Sequence, residues 1–290
     1  MAVTISNVYI QTFERTLRHL AQQAETKLRG TVQERATNGE KHNWERLGPG
    51  TASLKTGTLV ATPAQELPWS RRVSVAATYH AGEATEQEDP VQMLLDPNSN
   101  INMNLAMSMR RQVDDVIIAA ATGAALDGAG ATPALPAGQV VGDGSTPISF
   151  DMVTEVQETF MENDIDPSEP KVMVVGPTQV RKLMQLTEQT SKDYVRRGLD
   201  ELTANGIVIG WMGFTWIMST RLLAPAGGQL SCLAYTKRAL GLQINKDITA
   251  RVAEDPSVSF AWRLYCHMTL GCVRVEDEHI VHVHVKDAMA

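Results

Sequence analysis

The sequence predicts an α+β fold built on one long helix, with an extended hairpin on one side and a compact α/β region on the other. Three observations predict it. Residues 97–123 carry one apolar face at helical spacing, through Ile101, Leu105, Met109, Val113, Val116, Ile117 and Ala120. Residues 38–88 are rich in Gly, Pro and Thr and alternate in polarity. Residues 149–242 alternate helical and strand patterns, and the chain closes on strand-like segments.

The helix comes first. Asn98 or Ser99 is placed to cap it just after Pro97, and Gly123 to end it. Roughly 24 residues at ~1.5 Å each make a rod of about 36 Å. Helices in compact domains average about 11–12 residues, so this one is a spine against which other elements must lie. Asp114 and Asp115 are adjacent and point about 100° apart on a helix, which excludes a paired acid/base role. With Arg110 and Arg111 one turn earlier, they read as a solvated or ion-paired face.

Upstream, residues 10–35 space Phe13, Leu17, Leu20, Ala24 and Leu28 as a thin helical stripe, an arm that docks on something else. Residues 71–80 read as a strand, residues 54–61 as its partner, and residues 62–68 as the turn region. A two-stranded hairpin is marginal in water alone, so this arm needs a surface from its own domain or from a neighbouring subunit. Trp44 and Trp69 are natural anchors for such docking, or pack on the hairpin itself. Residues 89–96 form a short apolar turn into the spine, and residues 127–147 a loop or irregular hairpin.

Residues 149–163 predict a helix capped by Ser149 or Asp151, with Met152, Val153, Val156 and Phe160 on one face. Residues 171–175 are a short buried strand, and residues 177–186 a helix with Pro177 in its first turn. Residues 193–205 are polar. Residues 206–219 are two strands across a turn between Gly210 and Gly213, residues 231–235 another strand, and residues 236–242 a turn of helix. Residues 248–254, 260–274 and 279–285 alternate as strands of a sheet that packs on the spine.

Composition bounds the chemistry. The chain has 290 residues, enough for about two domains, with 43% hydrophobic residues and a formal net charge of −7. That charge argues against an outer face made for nucleic acid, and suits a container to which nucleic acid must not stick. Cys232, Cys266 and Cys272 have neither metal spacing nor a disulfide framework, and read as buried thiols of a reducing cytoplasm. There is no apolar run of the ~18 residues a membrane span needs, and no signal peptide. No dinucleotide, P-loop, nucleophile-elbow or zincin motif occurs; after Gly128 and Gly130 the third glycine is missing. His282 and His284 share a strand face and, with His279, Asp277 and Glu278, are the best metal candidates, although surface histidines are the commoner outcome. We therefore expect no catalytic residue, no cofactor and no metal, and not an enzyme.

The order of elements, with particular residues, resembles the shell fold of tailed-phage major capsid proteins of the Hong Kong ninety-seven type. The residues are Asp96-Pro97, Arg110-Arg111 and Asp114-Asp115 before the segment at 117–125; residues 206–214 with Ile217, Ser219 and Leu222; residues 232–235 with Lys237, Ala239, Gly241 and Leu242; and residues 44–48 at the start of the arm. The resemblance implies an N-terminal arm (1–37), an extended E-loop (38–88), a peripheral domain with the spine helix and a β-sheet (89–147 and 243–290) and an axial α/β domain (148–242). It implies a major capsid protein that self-assembles, as hexamers and pentamers, into an icosahedral head shell around double-stranded DNA, held on the inner face without sequence-specific binding. The protein would be made in the host cytoplasm and end in the virion head, with no membrane. Trp44, Arg46, Lys55, Trp69, Arg71 and Arg72 become candidate contacts between subunits, and Lys55 a possible cross-link donor. The arm lacks a long acidic coiled coil, which implies a separate scaffolding protein, besides a portal and a possible decoration protein. Two other readings stay open: an encapsulin-like nanocompartment shell, and a soluble α/β enzyme centred on residues 171–242.

Overall fold

The computed structural model describes residues 22–61, 64–85, 97–185, 207–257 and 260–287. The readings for residues 10–21, 89–96 and 193–205 lie outside them. The spine is helix α1 (Pro97–Thr122). It buries Met109, Val113, Ile117, Ile118 and Ala121, and Leu105 and Val116 pack at the edge. Its start differs from expectation. Pro97 is itself the first helical residue, which its missing N–H permits, so Asn98 and Ser99 lie inside the first turn. The end falls as expected: Gly123 follows the last helical residue, and its N–H bonds the Ala119 carbonyl at 2.8 Å.

The spine packs on a four-stranded sheet of order β1-β10-β11-β4. These strands are β1 (Gln33–Ala36), β4 (Ala77–Thr85), β10 (Leu240–Asp255) and β11 (Ala261–Arg274). Along β11, Leu264, Cys266, Met268 and Leu270 are buried and the residues between them are not, the period-2 signature of a half-buried strand.

The second sheet has six strands in the order β5-β12-β9-β6-β8-β7. They are β5 (Val140–Val141), β6 (Lys171–Val175), β7 (Ile207–Trp211), β8 (Phe214–Met218), β9 (Gln229–Thr236) and β12 (Ile280–Lys286). Helices α2 (Phe150–Glu162) and α3 (Pro177–Met184) accompany it. Ser149 caps α2, its hydroxyl accepting from the Met152 N–H at 3.2 Å, and Val153, Val156 and Phe160 are its buried face. One contiguous hydrophobic core runs through both sheets and the spine. The hairpin β2 (Lys41–Leu47) and β3 (Trp69–Val75) forms a sheet of its own.

Several sequence expectations need correction. Residues 22–32 contain no α-helix; a 3₁₀ turn at Arg29–Thr31 leads into β1. The backbone there is claimed by α1: the Asp114 carboxylate accepts from the Lys27 and Leu28 N–H groups, which an α-helix would have turned inward. Residues 54–61 form no strand. The partner of β3 is β2, whose alternation places Trp44 in the core, while Leu54 and Leu59 are fully out in solvent. The strand expected over residues 71–80 is two strands, broken at Ala76, whose N–H turns to the Glu40 carbonyl. Residues 236–242 are a tight turn into β10 rather than helix, because the Ala239 carbonyl is captured by the Val275 N–H at 2.7 Å. Finally, the last strand, β12, belongs to the six-stranded sheet, between β5 and β9.

Candidate inter-subunit surface

The hairpin β2–β3 is the feature that calls for a partner. Its two strands are joined by residues 48–68, closed at the neck by the Gly48 N–H on the Pro68 carbonyl at 2.9 Å. Beyond the neck the described residues form no helix or strand. Leu54, Leu59, Val60 and Leu67 all lie exposed, and so does Trp69 at the base of the loop, 72% accessible. Apolar side chains displayed on a loop without its own core mark an interaction site.

The base of the hairpin is rigidly held. Trp44 is buried against Val273, Val275 and Ala125. Its indole N–H donates to the Ser74 hydroxyl at 3.1 Å, and Ser74 donates to Gln243 Oε1 at 2.8 Å. The ring lies flat on Gly241, where a Cβ would stand 2.5 Å from it. Arg72, also buried, forms an ion pair with Asp277 at 2.6 Å. Asp277 takes a second guanidinium, Arg274, at 2.5 Å, and Arg274 donates on to the Gly123 and Pro133 carbonyls. This cluster ties hairpin, spine end and β11 together in a place where charges have little water.

The six candidate contact residues therefore divide. Trp44 and Arg72 are buried inside the subunit, Trp44 against Gly241 and Val273 and Arg72 on Asp277, which is the local-packing alternative rather than an open docking surface. Arg46 is half committed, donating to Ser70 Oγ at 3.1 Å and to the Val275 carbonyl at 2.7 Å. Arg71 is exposed and paired with Glu45 at 2.7 Å. Lys55 and Trp69 are open to solvent. Period-2 counting along β2 and β3 would have separated Trp44 and Arg72 from Trp69 and Arg71, had the strand pairing been known.

The aspartate pair on α1 is not a solvated face. Asp114 is fully buried and accepts from the Lys27 N–H at 3.0 Å, the Leu28 N–H at 3.2 Å and Gln23 Nε2 at 2.5 Å. Burial pushes its carboxyl above the ordinary range, opposed by those hydrogen bonds. Asp115 pairs with Arg221, whereas Arg110 and Arg111 turn to Glu25 and Gln22. The spine thus straps down the segment before β1, a role that spacing alone could not reveal.

The histidines disperse. His282 is buried with Nε2 at 2.9 Å from the Ala121 carbonyl, and burial holds its pKa down to about 4. His279 bonds Thr236 and Glu276. Among the described residues no group of three His, Cys, Asp or Glu side chains could hold a metal. Burial pushes the Cys232 and Cys272 thiols up to about 12, away from thiolate at neutral pH. A groove of about 630 Å³ beside α1 is walled by Val116, Leu223, Leu270 and Cys272 with the Asp115–Arg221 ion pair. No described helix is long and apolar enough to cross a membrane.

The subunit thus joins a rod-like spine, two large sheets and a hairpin whose loop lies outside the core. Its fold is similar to that of the cyanophage P-SCSP1u capsid, at 15% identity and a TM-score of 0.73 over 97% of this chain and 94% of that one, of a solved chain of Mycobacterium phage Che8, at 15% and 0.71 over 96% and 98%, and of the cyanophage Pam1 capsid, at 10% and 0.73 over 100% of both. No curated protein matches the sequence. Residues 5–287 match the phage capsid protein family, and the chain belongs to that family. It is a capsid protein of the phage head shell, not an enzyme, with an E-loop and a spine helix of the Hong Kong ninety-seven type.

Proposed function

We propose that this subunit builds an icosahedral head of hexamers and pentamers around double-stranded DNA, with the hairpin loop as its reach to a neighbour. The exposed loop carries the reading: residues 48–68 leave Leu54 and Leu59 wholly in solvent beside an open Lys55, on a hairpin whose base is locked by Trp44 and Arg72. An anchored base with an unsupported tip suits a contact made on another copy. Trp69 and Arg71 at the loop base, and Arg46 in part, extend that contact. Heterologous contacts that close by rotation make rings, and several weak ones per subunit hold a shell.

On this reading residues 1–37 are the N-terminal arm and 38–88 the E-loop. Residues 89–147 and 243–290 form the peripheral domain and 148–242 the axial domain, with β12 crossing into the axial sheet. The packaged DNA meets the inner wall without sequence-specific contacts, as the net charge of −7 favours. Scaffolding and portal proteins complete the assembly, which starts in the host cytoplasm, with a decoration protein as an optional addition. Electron microscopy of the purified chain, with and without its neighbouring genes, tests this. Closed shells tens of nanometres across are expected; a monodisperse monomer or dimer under every condition would refute it. Shells that retain host protein in place of DNA would point instead to a nanocompartment.

A further inference from the structure

The face of the four-stranded sheet turned away from the spine carries a strong local charge. Register places alternate residues of β11 on it, Arg263, Tyr265, His267 and Thr269, beside Ala84, Gly82, His80 and Thr78 of β4. From β10 it receives Ala253, Arg251, Thr249 and Lys246. The carboxylate that register adds to this face is Asp255, at its end, in a chain whose net charge is −7. Asp247, next to Lys246, turns aside to Arg29 at 2.9 Å, and Asp255, the last residue of β10 and opposite Ala261 on this same face, pairs with Arg263 at 2.7 Å, so Lys246 and Arg251 are the cations left over. Lys246 and Arg251 are exposed and make no ion pair among the described residues. Tyr265 and His267 stack at 5.2 Å in the middle, with His80 beside them. Partial burial and the nearby Lys246 and Arg251 hold the His267 pKa below its ordinary value, consistent with cations crowded on this face.

The other face of the same sheet, at the end away from β1, is acidic. Glu83 and Glu254 alternate to that side and are exposed. A sheet that is basic above and acidic below at its far end can overlap its own copies like shingles.

We propose that the basic sheet face around Lys246, Arg251 and His267 docks the acidic end of the same sheet, Glu83 and Glu254, of a second copy of this chain. The inference rests on the shell-subunit reading and adds the surface and its chemistry. The contact is heterologous, so it can close into rings rather than pair off as dimers. Charge complementarity of this kind sets register and rejects wrong partners.

The test is the charge reversal K246E/R251E, its counterpart E83K/E254K, and all four together, with shells counted by electron microscopy and sedimentation. Each double variant is expected to lower the assembled fraction by about tenfold or more, because like charges set opposite one another cost several kcal/mol. The quadruple variant restores it, and wild-type assembly weakens as salt rises. Circular dichroism checks that the variants fold. If a reversal does not fold, K246Q/R251Q replaces it and must still weaken assembly and flatten the salt dependence. Wild-type chains that never form shells would remove the shell reading itself. Wild-type shells with unaffected double variants, or with no rescue in the quadruple variant, would overturn this contact alone. So would intact K246E/R251E shells that have lost only their DNA, since the face would then be one for nucleic acid.

Discussion

Replacing Asp114 by alanine should release the segment before β1 from the spine. In the native subunit this carboxylate accepts from two backbone N–H groups, of Lys27 and Leu28, and from the Gln23 amide. Leu28 is fully buried, so water cannot readily replace the lost acceptor. Each unsatisfied buried donor costs about 1–3 kcal/mol, which sets the gross loss at roughly 2–6 kcal/mol. Removing a buried charge returns part of this, so a net loss of about 3 kcal/mol is expected for D114A. The loss is local. Hydrogen exchange at the Lys27 and Leu28 amides should speed up by about 100-fold, at tenfold per 1.4 kcal/mol, while amides of β9 and β12 keep their protection. D114N is the control, since its Oδ1 still accepts from the backbone. The sign of the pH effect follows from the raised carboxyl pKa. The unfolded chain loses its proton at the ordinary carboxylate value and the native subunit only at a higher one. The contribution is therefore most favourable below the ordinary value and falls as pH rises through the window up to the raised one. D114N should lack that slope. Unchanged exchange at both amides in D114A would refute the strap.

The charge cluster under the hairpin gives a second prediction. Asp277→Ala leaves the Arg72 and Arg274 guanidiniums buried beside each other, and should cost about 3–5 kcal/mol in urea unfolding. Trp69→Ala should do the opposite: with the ring 72% exposed, subunit stability should stay within about 0.5 kcal/mol, while sedimentation detects weakened assembly. His282, held to about 4, should make the subunit lose stability as pH falls from about 6.5 to 4, because the unfolded chain takes up the proton first; the total is at most roughly 3 kcal/mol at 1.36 kcal/mol per pKa unit. H282Q should flatten that part of a melting-temperature profile.

Local chemistry made much of this fold legible. Ser149 before an amphipathic run, Pro177 at a helix start and Gly123 at a helix end are signals within a few residues, and each element falls where they place it. What failed depends on distant partners. Lys27 and Leu28 read as helix until Asp114, 87 and 86 residues away, takes their N–H groups. The pairing of β3 is not legible locally, because residues 54–61 look as apolar as a strand while the burial of Trp44 against Gly241 and the Ser74 hydrogen bonds favour β2. That same ambiguity hid the division of the candidate contacts, since strand pairing decides which side of β3 Arg72 faces. The histidines alternate correctly on β12, yet spacing could not tell that one would reach the Ala121 carbonyl of the spine.

The two polar clusters on the spine are related in purpose. Asp114 fastens the segment before β1 near the middle of α1, and Arg274, through the Gly123 carbonyl, fastens the hairpin base to its end. Both use buried charges, which break at high cost when one partner is lost but add little over a well-packed apolar contact. Apolar packing would stabilise the subunit as well, so the return on these charges is directional: a guanidinium fork and a carboxylate tolerate only narrow geometries. A subunit whose hairpin must meet a neighbour at the right angle benefits from that restriction. The angle error grows with distance along residues 48–68, and a small rotation at Arg72 moves the loop tip far more than the base. On this argument Asp277→Asn, which keeps the volume but loses the charge, should yield subunits that fold and yet form irregular shells. Regular wild-type-like shells from that variant would mean that Trp44 alone sets the hairpin's direction.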